Sequence, residues 1–253
     1  MDAQRVLSYH RNNCTNSIDD GEWTLAAAIE HVIWLRNGAH APVSNTELWS
    51  LLQATKWPGT NAQDITRDGT HVLILPPNED TVVLRNLERD VRERLGHAGF
   101  TPTMAKALSG ALAEIIGNIW EHAQATTPAL LAYQCDNERL TASVADLGIG
   151  VLESLKSNPT YAQLGSSLQA LKTAMAVGVS RHQDKNRGYG FDTVLRAVAD
   201  HHGTVRLRSG QGVLSFHGNT ATRTATGAYG VDLPGLHVAF TCGTTPPKQA
   251  IEV

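Results

Sequence analysis

Residues 101–123 constrain this chain more than any other stretch, because they read as one long helix with two unlike sides. Thr101-Pro102 supplies an N-cap followed by a proline at the first helical position, where its missing N–H costs nothing. Leu108, Leu112, Ile115, Ile116, Ile119 and Ala123 fall on one broad stripe at about 100° per residue. Glu114, Asn118, Glu121 and His122 gather on the other side, since residues four apart stack on one face. Taken alone, such a polar side is ordinary solvated surface. Gly117 argues for more, because a glycine inside a helix costs roughly 1 kcal/mol relative to alanine. Asn118 is itself a mediocre helix former that prefers caps and turns.

Two short glycine motifs follow at fixed distance. Arg139 to Ala145 alternates as a strand and ends in Asp146-Leu147-Gly148-Ile149-Gly150. Glycine lets a ligand lie directly on backbone. A carboxylate at the strand end accepts hydrogen bonds and donates none, which suits an exocyclic amine such as N6 of adenine. The competing explanation is an ordinary Asp-containing turn. Further on, Gly188-Tyr189-Gly190 runs into an amphipathic stretch from Phe191 to Val198. Free N–H groups at a helix start bind phosphate. Neither GxxxxGK[ST] nor a strand followed by GxGxxG is present, so a Walker or Rossmann phosphate site is excluded.

The order and spacing of the three motifs resemble the GHKL superfamily, the Bergerat-fold ATPases that include DNA gyrase, histidine kinases and anti-sigma-factor serine kinases. The Glu114, Asn118, His122 helix resembles that family's N box and is most similar to that of the anti-sigma kinases. Asp146 to Gly150 resembles the G1 box and Gly188 to Phe191 the G2 box. The likeness covers about residues 69–253. It implies ATP and Mg²⁺ as cofactors, Glu114 as general base, Asn118 as Mg²⁺ ligand and Asp146 as the reader of adenine. Gly148, Gly150, Gly188 and Gly190 would admit the nucleotide, and residues 151–187 would form a lid. Of the lid cations Lys172, Arg181, Lys185 and Arg187, the resemblance favours Arg187, beside the G2 glycines, as the phosphate contact. His122 would line the pocket wall or serve structure alone. One departure is visible. Where the family often carries Gly-Thr in its last strand, this chain has Gly235-Leu236, so a polar partner for adenine is missing unless Thr241 replaces it.

The resemblance implies an α+β fold, a two-layer α/β sandwich of Bergerat type with a mixed β-sheet and helices on one face, over residues 66–253. The residues themselves place strands at His71 to Leu75, Ala129 to Cys135, Thr204 to Leu207, Val213 to Phe216 and Leu236 to Thr241. A helix is expected from Thr81 to Gly96, an Asp136-Asn137 turn joins two strands, and Ser209-Gly210-Gln211-Gly212 reads as a turn between two others. Residues 1–65 form a separate small helical unit. Asp20 caps a helix to about Arg36, and Ser44-Asn45-Thr46-Glu47 has capping-box form before Leu48. Two helices bury little surface, so this unit is expected to pack on the larger domain or on a partner. Its tryptophans Trp23, Trp34, Trp49 and Trp57 suit core packing or a partner surface.

Composition narrows the function classes. The 253 residues carry a net charge of −3 and no dense Lys/Arg run, so no nucleic-acid partner is expected. Cys14, Cys135 and Cys242 are too scattered for a disulfide framework or a zinc site. The His201-His202 pair sits where a helix should end, a place that favours histidine without metal. No run approaches about 18 apolar residues, which points to a cytoplasmic protein without a membrane span. Three readings follow: an ATPase whose lid signals to a partner protein, a serine/threonine kinase of anti-sigma type, and a nucleotide-binding interaction protein with little turnover. The family's habits add a homodimer as an expectation.

Overall fold

The computed structural model describes residues 54–57, 63–67, 69–175, 190–217 and 224–245. The elements expected before residue 54, and the Gly188 and Arg187 positions, lie outside these. Strands β1 (Ile65–Arg67) and β2 (Thr70–Leu75) lead to helices α1 (Thr81–His97) and α2 (Pro102–His122). Then come β3 (Ala129–Asp136), β4 (Arg139–Ala145), α3 (Gly150–Lys156) and a short 3₁₀ turn at Pro159–Tyr161. The chain continues through α4 (Ser167–Ala174), α5 (Gly190–Ala199), β5 (Thr204–His217) and β6 (Thr224–Gly243).

The six strands lie in the order β1-β2-β3-β4-β6-β5, and every pairing among the described residues is antiparallel. The expected mixed character survives only in direction. The chain crosses from β4 to β5 through helices and returns in the same sense, as a crossover connection does. Strand β6 then folds back between the two, so they never become neighbours. The result is an α+β Bergerat-type sandwich.

Helix α2 forms as its sequence dictates. The Thr101 hydroxyl accepts from the Met104 amide at 3.3 Å, and Pro102 opens the first turn. The whole apolar stripe from Leu108 to Ala123 is buried. It joins one core with Leu87, Val91 and Leu95 of α1 and with alternate residues of the sheet. Leu131, Val144, Val238 and Leu207 form one cross-strand row beneath the helices, and Tyr133, Ala142, Phe240 and Val205 form the next. Two side chains fasten the helical layer to the sheet: Tyr133 donates to Asp90, and the Trp120 indole donates to the Pro76 carbonyl at 2.7 Å.

The Asp136 hairpin turns at Asn137 and Glu138, both left-handed at φ 43° and 63°, as a tight two-residue hairpin loop requires. The Ser209-Gly210-Gln211-Gly212 expectation was wrong in kind. These residues are not a turn but a bulge inside one continuous 14-residue strand, with register shifts at Ser209/Gly210 and Gly210/Gly212. Glycine and polar residues bend a strand as readily as they reverse it, and here β6, 20 residues long, pairs along the full length. Trp57 lies almost fully buried and its indole donates to the Pro128 carbonyl at 2.7 Å.

Removing the α2 cap by Thr101→Ala should lower domain stability by about 1 kcal/mol. Urea unfolding of the two proteins side by side measures this, and an unchanged midpoint would show that the cap is idle.

Candidate functional site

Strand β4 ends on the face covered by helices. Asp146, two residues beyond Val144, therefore projects to the same side, toward the C-terminal end of α2. There it is 1% exposed. One carboxylate oxygen accepts from the Gly148 amide at 2.7 Å and the other from the Leu236 amide at 3.2 Å. The Asp146 amide donates back to the Leu236 carbonyl at 3.1 Å. Two backbone donors fix the carboxylate, and each oxygen keeps a further lone pair.

The turn after Asp146 is held as firmly. The Ile149 amide donates to the Ala123 carbonyl at 2.9 Å, which ties the turn to the end of α2. A Cβ on Gly148 would collide with that same carbonyl, so only glycine fits. On the other flank Ser209 donates to the Gly235 carbonyl at 2.8 Å and accepts from the Val151 amide at 3.0 Å. Gly235 stands at φ 75°, and a Cβ there would run into the Asp146 backbone. Gly150, also at φ 75°, begins α3. Asp146, Gly148, Gly150 and the start of the last strand segment are thus one knot.

Burial pushes the Asp146 carboxyl up to about 6, against the opposing pull of the two amide donors. The shift from 3.8 makes the ionised form cost the fold about 3 kcal/mol at neutral pH. Between the two pKa values the folded chain holds a proton that the unfolded chain has released. Its contribution therefore falls as pH rises from about 4 to about 6.

The other sequence candidates fall into three groups. Asn118 lies half-buried on α2, about 7.5 Å of helix rise before Ala123, and its Nδ2 is buried with no hydrogen-bond partner among the described residues. The two ends of a carboxamide are interchangeable by a half-turn, so the side chain can equally present its oxygen there. One such oxygen suits Mg²⁺, which keeps several waters and takes one or two protein ligands beside substrate phosphates. Glu114 stands one turn earlier, exposed. A Cβ on Gly117, between them, would meet nothing within 4 Å. Packing therefore does not demand the glycine. Gly190 is the first residue of α5, and α5 packs on α2. Gly188 and Arg187, with Arg181 and Lys185, lie outside the described residues.

Of the expected lid, residues 151–175 are described. They are built rather than loose: Val151, Leu155, Leu164, Leu168 and Leu171 are buried in the common core, while Lys172 is exposed. Leu236 stands beside Asp146, as the Gly-Thr comparison implied, and contributes its backbone amide instead of a hydroxyl. Thr241 faces Thr141 and Thr204 five residues along the strand, about 17 Å away, so it does not stand in. Ser209 was missed as a site residue, because a serine beside glycine reads as turn chemistry until the bulge is seen.

A family model described as histidine kinase-like ATPase domain matches residues 77–216, more than half of the 253 residues. The chain belongs to that family. The matched span begins just after β2 and runs through the α2 helix, the Asp146 turn and most of β5, so the GHKL-type motifs and the geometry coincide. Membership makes this an ATP-binding domain of the histidine kinase-like ATPase type. No curated protein matches the chain. Among the described residues no helix is long and apolar enough to cross a membrane.

Two outcomes are expected. Urea unfolding of the wild type and of Asp146→Asn, each at pH 7 and pH 4, should show the wild type gaining about 2 kcal/mol on the variant at the lower pH; a pH-independent difference would mean that Asp146 is not buried as an anion. Gly235→Ala should cost about 3 kcal/mol or more, from left-handed backbone and collision together, and a near-neutral result in the same assay would show that the knot yields.

Proposed function

We propose that this protein is a Mg²⁺-dependent ATPase whose lid, about residues 151–187, closes over nucleotide and signals to a partner protein. The observation that carries the reading is Asp146, a carboxylate kept buried at an energetic cost and fixed by two amides beside the helix that bears Asn118. A buried anion with spare lone pairs, facing a glycine turn, has the chemistry to accept the adenine amine.

In this reading Asn118 would hold Mg²⁺ through its amide oxygen. The ion would supply charge neutralisation and alignment for the phosphates. Glu114, one turn away and exposed, accepts a proton from water as the water oxygen bonds to the γ-phosphorus. The bond from that phosphorus to the bridging oxygen breaks, leaving ADP and phosphate. The Gly117 position leaves open room on that side of α2, which suits a triphosphate lying along the helix. Gly188 and Gly190 would give amides to phosphate at the start of α5, with Arg187 as the neighbouring cation.

The exposure of Glu114 favours a second reading, a protein serine/threonine kinase of anti-sigma type. An exposed base serves a partner's serine hydroxyl as well as water. The same proton transfer then yields a phosphoserine and ADP. Binding without turnover would leave a nucleotide-gated interaction module.

Asp146→Asn should abolish ATP binding by calorimetry, because the amide turns a donor toward a donor. Glu114→Ala should keep binding and lower phosphate release at least 100-fold. Turnover undiminished in Glu114→Ala would remove Glu114 from the chemistry, and γ-phosphate appearing on a co-purified protein would decide for the kinase.

A further inference from the structure

A hydrogen bond has a direction, and three of them around Ser209 stand in series. The Val151 amide can only donate and the Gly235 carbonyl can only accept, so the position of the single Ser209 hydroxyl proton is fixed. It points to the Gly235 carbonyl at 2.8 Å, and a lone pair of the same oxygen receives the Val151 amide at 3.0 Å. The Gly235 carbonyl and the Leu236 N–H belong to one peptide unit, which resonance keeps planar. Turning one turns the other. That Leu236 N–H donates to the Asp146 carboxylate at 3.2 Å. The series therefore runs unbroken from Val151, through the Ser209 hydroxyl and the Gly235–Leu236 peptide, to Asp146. Ser209 is 2% exposed, so it lies where water does not compete for its partners.

The two ends of the series belong to different parts of the molecule. Val151 stands in the first turn of α3, and Ile149, which precedes that helix, gives it no side-chain cap. The Ser209 oxygen, on another strand, takes one of the amides that a capping residue would otherwise satisfy. The backbone is shaped to admit it. A Cβ on Gly150, at φ 75°, would come within 2.8 Å of the Ser209 oxygen.

We propose that Ser209 is a positioning residue of the nucleotide site, which aims the Leu236 amide at Asp146 and carries the state of that carboxylate to α3. This rests on the reading of Asp146 as the acceptor for the adenine amine. Ser209 acts through the peptide. A hydroxyl that donates to a carbonyl polarises the peptide unit and strengthens its N–H as a donor, and in donating it becomes a better acceptor for Val151. Whatever tightens or loosens the Leu236 bond to Asp146 is thereby felt at the start of α3, the element with which the proposed lid begins.

Calorimetry on wild type and Ser209→Ala, each with Mg²⁺, tests the aiming role with two nucleotides: ATP, and the triphosphate of purine riboside, which lacks the six-amino group. Ser209→Ala should weaken ATP by roughly 10-fold, the worth of about one net hydrogen bond, and the analogue by far less. A serine that only supports the fold would weaken both alike, and that result would overturn the proposal while leaving the adenine role of Asp146 in place. Equal binding of the two nucleotides by the wild type would instead remove that role, and the proposal with it. A second measurement needs no substitution. Amide hydrogen exchange at Val151, followed by NMR in the wild type saturated with each nucleotide and referred to the core amide of Val91, should be roughly 10-fold slower with ATP than with the analogue. Equal exchange at Val151, with the affinities of the wild type still different, would show that α3 does not sense Asp146 and would overturn the proposal.

Discussion

Two backbone amides converging on one buried carboxylate organise the site, and most of the fold serves to bring them there. Gly148 lies just past the end of β4 and Leu236 lies 90 residues after Asp146, in the strand that inserts beside it. Their meeting at Asp146 requires β6 to sit between β4 and β5, which in turn requires the helical crossover between those strands. A carboxylate placed there without both donors would be an unpaired buried charge, which proteins avoid. With them it is still held at a cost, and that cost marks it as retained for something other than stability.

The surrounding contacts read as insulation of this arrangement. Ala123 closes one side through Ile149 and excludes any side chain at residue 148. Ser209 closes the other by joining α3 to the Gly235 carbonyl. The bulge in β5 makes this possible, since it breaks the register at Ser209. In the proposed reading the sandwich would contribute a rigid purine end, while the turn of α2 around the exposed Glu114 would be left open for chemistry. Rigid and open ends on one helix are what a phosphoryl-transfer site needs, because its catalysis is mainly positioning.

Much of this was legible in the residues. The α2 stripe, its Thr101-Pro102 start and the β3–β4 hairpin are local matters of period, cap and turn, and each formed where those signals stood. Asp146 and its glycines were legible as a motif because glycine spacing reports close backbone approach. What the residues did not disclose depends on pairing between distant segments. The Ser209 bulge looks like a turn until β6 is laid against it, and the Leu236 amide, unlike a threonine hydroxyl, leaves no mark in a side-chain pattern. Which side of the sheet the helices cover was equally silent, since a run such as Ala129 to Tyr133 is apolar at both parities.

The central proposal, that Asp146 reads the purine through its six-amino group, is tested most directly by calorimetric titration with two nucleotides. One is ATP and the other the triphosphate of purine riboside, which lacks that amine, each with Mg²⁺ present. The account predicts binding of ATP roughly 10- to 100-fold tighter, the worth of one hydrogen bond to a buried charge. Equal affinity for the two would contradict it.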